Sequence, residues 1–217
     1  MGSMTRLASD SLSEIVQRLD ARIRRVDEER WLSSRYADGA SRSSLIILYA
    51  FYYELARVRL AVSDQTLGQI RFQWWRDAID EVERGEVREH ELVEALAREL
   101  GDARLDAGDL LGLIDQHQTA FLANDRDLEP EAELATLAAK VLAPAHDVPE
   151  LQKIAPFWAK LRRKEFHDHG PDRVRSRSDL RPALAHLRLR QPWARGRRPG
   201  PMGQRLCVLL GVLTGAI

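Results

Sequence analysis

Apolar residues recur at helical spacing through most of the chain, and nowhere alternate with a period of two for long enough to build a strand. The clearest period lies in "TLGQIRFQWWRDAIDEVERG". There Leu67, Ile70, Trp74, Ala78 and Val82 recur every three or four residues, Trp75 and Ile79 widen the stripe, and Gly85 suits a helix C-terminus. This spacing assigns Trp74 to the core and Trp75 to its margin, because large aromatics dominate cores. Ahead of it, "LIILYAFYYELARVRL" predicts a helix over 42–61 that is apolar nearly all round at first, and therefore central. Ser11 with Glu14 makes a capping box before "IVQRLDARIRRV" and predicts a first helix over 12–26, with Arg18, Arg22, Arg24 and Arg25 on a solvated face. The serines and Gly39 of "WLSSRYADGA" read as a break. Further helices are predicted in "EHELVEALARELG", "DAGDLLGLIDQHQTAFL", "PEAELATLAAKVLAP" and, interrupted by Pro156, "VPELQKIAPFWAKLRRKEF". The fold class is all-α.

Beyond about Val148 the texture changes. Nine arginines fall between Arg173 and Arg198 against the single acid Asp179, among prolines and glycines and with a thin apolar pattern. Three parts are expected: a helical domain over 1–170, a basic linker over 171–200, and an apolar segment over 201–217 that needs a partner surface in this chain or another. The default for such a charge run is a solvated arm, and the sharper reading is contact with anionic lipid or an acidic partner.

Composition narrows the classes. The 217 residues are 44% hydrophobic, enough for one good core or two small ones. Basic and acidic residues both number 33, so no global field draws the chain to nucleic acid, and none is expected as a partner. One cysteine, Cys207, excludes an internal disulfide and fits a reducing compartment as a core filler. No apolar leader and no run of membrane-spanning length is present, so the expected location is cytoplasmic, with room for a peripheral place on a membrane.

The phrases "RWLSSRYA", "SLIILYAFYYELARVR", "LGQIRFQWWRDAIDEVERG" and "LLGLIDQHQTAFL", in that order and spacing, resemble the squalene/phytoene synthase family of head-to-head prenyl transferases over about residues 25–143. The resemblance implies an isoprenoid-synthase helical bundle around an apolar cavity, shortened at its C-terminal end. It also implies two aspartate-rich motifs on facing helices, whose carboxylates hold magnesium against a departing diphosphate. Laid on this chain, the first motif, Asp-Asp-x-x-Asp, falls at Ala56, Arg57 and Leu60. All three carboxylates are missing. Tyr49, Tyr53, Ala56 and Leu60 share roughly one helical face and are expected to line the cavity with aromatic and aliphatic groups. Arg57 and Arg59 reverse the local sign; a guanidinium cannot ligate magnesium, though its fork of donors suits a diphosphate. In "LIDQHQTAF" the family's closing aspartate falls at Ala120, leaving Asp115 as a lone carboxylate.

Other chemistry is sparse. Asp77, Asp80 and Glu81 fall largely on the polar side of their helix, where Arg76 and Asp80 are spaced to pair. His167, Asp168 and His169 adjoin Gly170 and Pro171 and read as a polar turn rather than a metal site, and His117 as a packed or exposed histidine rather than a base. No phosphate loop, nucleophile elbow or Cys/His cluster appears. The leading expectation is a non-catalytic member, without catalytic residues, metal or cofactor. It is similar to the branch that contains the assembly factor for respiratory complex I, with an isoprenoid or lipid-like ligand or a protein partner near a membrane. The alternative is an active prenyl transferase that uses magnesium through relocated carboxylates such as Glu54, Asp64, Asp77 and Asp80. A homodimer that completes a short core is a third expectation, and exposed apolar surface from Leu134 onward would mark it.

Overall fold

In the computed structural model, which describes residues 2–124, 130–164 and 171–217, each helix that the periodicity predicts is present, and the fold is all-α. Among the described residues the only β pairing is an isolated antiparallel bridge between Arg175 and Ala216. The helices are α1 (Gly2–Val26), α2 (Glu28–Ser34), α3 (Gly39–Ala61), α4 (Gln65–Glu83), α5 (Glu91–Gly101), α6 (Ala107–Leu122), α7 (Glu131–Leu142), α8 (Leu151–Arg162), α9 (Arg181–Leu184), α10 (Arg190–Ala194) and α11 (Pro201–Thr214). Short 3-10 turns at Ser178–Leu180 and Ala185–Leu189 flank α9. Helix α1 begins upstream of Ser11, so the capping box falls inside it. Helix α2 occupies the stretch read as a break; Asp27 caps it, its carboxylate accepting from the Arg30 amide at 3.4 Å.

The chain divides into two units. The first holds α1, α3 from Ile46, α4, α5 and α6. Residues 46–52 of α3 are buried without a gap, as an all-round apolar run requires. Around it, α1 packs on α5, and α4 on α5 and α6. Asp64 caps α4 by accepting from the Leu67 amide at 2.9 Å, and Asp106 caps α6 by accepting from Asp109 at 3.0 Å.

Helix α4 buries a different face from the one its periodicity suggests. Gly68, Phe72, Trp75, Ala78 and Ile79 are buried, whereas Leu67 and Ile70 are 56% and 58% exposed and Trp74 is half-buried. Both faces are apolar, so period alone does not choose between them. Two aromatic contacts settle the matter: Trp75 meets Phe51 edge-on at 5.3 Å and Phe72 meets Phe121 at 5.8 Å, with Gly68 so close to the Phe121 ring that a side chain there would have to displace it. Arg76 does not pair with Asp80. It reaches α6 instead, donating to Asp115 and Gln118, both at 2.5 Å.

The second unit holds Asp27–Leu45 and the residues after 125. Helices α7 and α8 pack together, and Leu134, Leu137, Ala138, Ile154 and Trp158 on them are buried. Segment 171–200, expected as a solvated linker, packs here: Leu180, Ala183, Leu184, Leu187, Leu189 and Trp193 are all buried. Four of its arginines, Arg181, Arg188, Arg190 and Arg198, bond backbone carbonyls, while Arg173, Arg175, Arg177, Arg195 and Arg197 are exposed. Arg190, almost fully buried, donates to the carbonyls of Pro171, Asp172 and Ile217, and Arg181 to those of Val212 and Leu213. The apolar C-terminal segment finds part of its partner surface in the same unit, where Val208 and Gly211 of α11 are buried against the Ala185–Leu189 turn.

Gly211 marks the tightest approach. A Cβ there would stand 2.8 Å from the Ala185 carbonyl oxygen and 3.2 Å from its Cα, and backbone cannot swing aside as a side chain can. Gly211→Ala is therefore expected to destabilise the second unit by about 1–3 kcal/mol, the usual cost of overpacking, despite the better helix propensity of alanine. A shift of the urea midpoint to lower concentration checks this; an unchanged or raised midpoint contradicts it.

Candidate functional site

The residues singled out on α3 lie along one helix but in graded surroundings. Tyr49 is buried, Tyr53 and Ala56 are half-buried, and Leu60, at the helix end, is 80% exposed. They do not make one enclosed wall. Arg57 is exposed and donates to both carboxylate oxygens of Glu54, at 3.1 and 3.2 Å, while Arg59 is half-buried. A notch of about 130 Å³ opens between α3 and α4, lined by Glu54, Arg57, Val58, Arg71, Trp74 and Trp75. It brings Arg57 together with Arg71, a pairing the sequence alone did not suggest, and none of the four expected lining residues borders it.

Glu54, Asp64, Asp77 and Glu81, near this face, have other tasks. Glu54 accepts from Arg57 and, at 3.4 Å, from Arg22, which also holds Glu91; Arg18 joins Glu91 at 3.2 Å. Asp64 caps α4, Asp77 accepts from Gln73 at 2.7 Å, and Glu81 takes a two-pronged bond from Arg88 at 2.5 and 2.7 Å. Arg88 in turn lies 5.0 Å over the Trp74 ring. Among the described residues no three acidic, histidine or cysteine side chains stand close enough to hold a metal ion. The groups at Ala56, Arg57 and Leu60, where the first motif is expected, are a methyl, a guanidinium and an isobutyl, and do not fit magnesium, which takes oxygen ligands. His167, Asp168 and His169 lie outside the described residues.

Helix α6 meets α3 through an aromatic contact. His117, with no exposed surface, sits edge-on to Tyr52 at 4.8 Å. Neither of its ring nitrogens has a hydrogen-bond partner among the described residues. Burial, aided by the charge of Arg59, pushes its pKa down to about 3, so the imidazole is neutral at physiological pH. Ala120, one turn on, is buried, and Asp115 points outward to Arg76. The signal for His117 lay in the spacing: Leu110, Leu113, Ile114, His117 and Ala120 form one stripe, all buried.

The second unit carries its own polar constellation. Arg30, 2% exposed, is held between Asp27 and Glu131, itself 3% exposed; Arg162 reaches Asp27 at 3.2 Å and Glu29 at 3.9 Å. Burial alone would raise the Asp27 carboxyl, but the charges of Arg162 and Arg30 outweigh it and hold the pKa at about 2. Beside them His186 is buried, 6.0 Å from the Trp158 ring, and burial with the charge of Arg30 pushes its pKa well down. Every charge in this cluster has an opposite one in contact, which is what a buried ionic group requires.

A family model described as squalene/phytoene synthase matches residues 23–146. Two curated proteins, both named "NADH dehydrogenase (ubiquinone) complex I, assembly factor 6", from Bos taurus and Homo sapiens, are each 38% identical to this chain over 60 residues. The aligned part is 28% of this chain but only 18% of the length of those relatives. No solved structure matches the chain.

The buried imidazoles make stability depend on pH. The folded pKa of His117, about 3, lies below its ordinary 6.5, so between those values the unfolded chain binds a proton that the folded chain does not. Stability is therefore full above pH 6.5 and falls as pH drops below it, and His186 acts in the same direction. Between about pH 5 and 6, His117→Leu should flatten the slope of unfolding free energy by up to about 1.4 kcal/mol per pH unit. Urea titrations across that window measure it; an unaltered slope would mean that His117 is protonated in the fold.

Proposed function

Because the chain belongs to the squalene/phytoene synthase family, we propose that it keeps the family's helical scaffold and works by binding rather than turnover. On this reading it is an assembly-type protein of the kind named in its relatives, with its helical unit engaging an isoprenoid or lipid-like molecule or an assembly partner. The observation that carries the proposal is the chemistry of α3. Ala56, Arg57 and Leu60 stand where the family's first aspartate motif falls, and the neighbouring carboxylates are held by other partners. A diphosphate leaving group needs its charge met as the carbon–oxygen bond breaks, and magnesium does this through oxygen ligands that these positions lack. Arg57 and Arg71, on the rim of the notch, can bind an anion but cannot collect the metal. The 38% identity with complex I assembly factors supports the same direction.

The transferase alternative requires two carboxylate clusters facing one another. Of the carboxylates that could form them, Glu54, Asp64 and Asp77 would have to leave existing bonds and caps. Nothing in their placement favours that.

Calorimetry with farnesyl diphosphate and geranylgeranyl diphosphate, with and without magnesium, separates the two. The expected result is that magnesium changes neither affinity nor products and that no pyrophosphate appears. Magnesium-dependent binding accompanied by pyrophosphate release overturns the proposal. For the assembly role, cells lacking the chain should accumulate incomplete NADH dehydrogenase complex, and undiminished complex would contradict it.

A further inference from the structure

Helix α11 has two apolar sides. One, carrying Val208 and Gly211, is packed within the second unit. On the other, Met202, Leu206, Leu210 and Leu213 follow at spacings of four, four and three and form one stripe, 75%, 56%, 37% and 64% exposed. Beside this stripe lies a groove of about 390 Å³ whose apolar part is made by Pro192, Pro199, Leu206 and Leu210. Its rim is cationic: Arg173, Arg188, Arg195 and Arg197. Cationic charge is in excess here. Residues 171–217 hold ten arginines and two acids: Asp172, which borders the adjoining pocket with Arg173, Arg190 and Arg195, and Asp179, which Arg177 holds through bonds of 2.7 and 3.1 Å. Arg195, Arg197 and Arg205 are exposed.

We infer that this face docks the chain onto an anionic phospholipid surface, with α11 lying in the interface. Long apolar side chains in a row along one helix, flanked by arginines and free of carboxylates, match a boundary where acyl chains and phosphates are met together. The groove lets a phosphate headgroup meet the arginine rim while the stripe enters the acyl boundary. An acidic protein would answer the arginines but leave the apolar stripe uncovered; a second copy of the chain would cover the stripe but bring a second set of arginines against the first. A lipid surface satisfies both features, and no helix among the described residues is long and apolar enough to cross it. The inference concerns the second unit and stands or falls apart from any question of turnover in the first.

The test is co-sedimentation of the full chain with vesicles of phosphatidylcholine alone and of phosphatidylcholine mixed with phosphatidylglycerol, at low and raised salt. Binding is expected only to the mixed vesicles and should weaken with salt. Arg195→Ala with Arg197→Ala should reduce it about 25-fold, at about fivefold per arginine. Leu206→Ser with Leu210→Ser should also reduce it. Both pairs lie on the surface and should leave the circular dichroism and melting temperature unaltered, and Arg98→Ala, on the exposed face of α5, should leave binding unaltered. Equal binding to both vesicle types, binding to neither, or full binding by the double variants overturns the inference. So does a dimer that the leucine substitutions dissolve while the vesicles stay bare, which would assign the stripe to a second copy.

Discussion

Everything in the first unit follows from the need to surround α3. Seven consecutive residues, Ile46 to Tyr52, are buried, and seven residues make almost two helical turns, so no side of the helix is left for water. Such a helix is stable only when other helices cover it, because its own propensity is ordinary and the free energy lies in apolar burial. Phe51 and Tyr52 point in different directions and recruit different neighbours, Trp75 of α4 and His117 of α6. From Arg57 onward the enclosure loosens: Arg57 and Leu60 are exposed and Arg59 is half-buried, while Val58 is still buried. The chemistry of the candidate site is therefore confined to the last turn of a helix whose earlier turns are fixed by packing.

In the second unit charge rather than apolar burial makes the decisive connections. Asp27 caps α2, accepts from Arg30 and receives Arg162 from α8, while Arg30 also holds Glu131 in the first turn of α7. One carboxylate and one guanidinium thereby join three helices. Buried ions carry a desolvation cost of several kcal/mol each and are tolerated only with partners in good geometry. That makes the arrangement specific: removing Arg30 or Asp27 takes one opposite charge from the other, which would then rely on Arg162 or Glu131 for its compensation.

These two units differ in how legible they were. The long apolar runs of α3, α5, α6 and α7 announce their helices and most of their buried faces, because burial there follows a single period. Helix α4 does not, since Leu67, Ile70 and Trp74 make as good a stripe as Phe72, Trp75 and Ile79, and only the aromatic partners on α3 and α6 decide. The second unit was harder still. The stretch "WLSSRYADGA" reads as a break, yet Arg30, Ser33 and Ser34 of α2 are buried and α2 packs on α9, α11 and the Ala185–Leu189 turn, about 150 positions away in sequence. In 171–200 the arginines suggest a solvated arm, yet Arg181, Arg190 and Arg198 bond carbonyls at the ends of other segments. A guanidinium with five donors is suited to that task, but composition does not reveal it. At the candidate site it is plain in the sequence that positions 56, 57 and 60 carry no carboxylate. The notch joining Arg57 to Arg71 is not plain there, because it depends on how α4 is rotated against α3.

On the proposed reading, the replacement of the first motif also has a physical consequence for the scaffold. Three aspartates within one turn of helix repel one another unless a metal neutralises them, and aspartate is a poorer helix former than alanine, arginine or leucine. A chain that never collects magnesium has no compensation for either cost. Alanine, arginine and leucine at 56, 57 and 60 relieve both, by on the order of 1–2 kcal/mol in propensity alone. They also let Arg57 pair with Glu54, an exposed contact of modest worth. Stability and catalysis thus pull these positions in opposite directions while leaving the enclosed turns of α3 untouched, which is how one scaffold can carry either chemistry or binding.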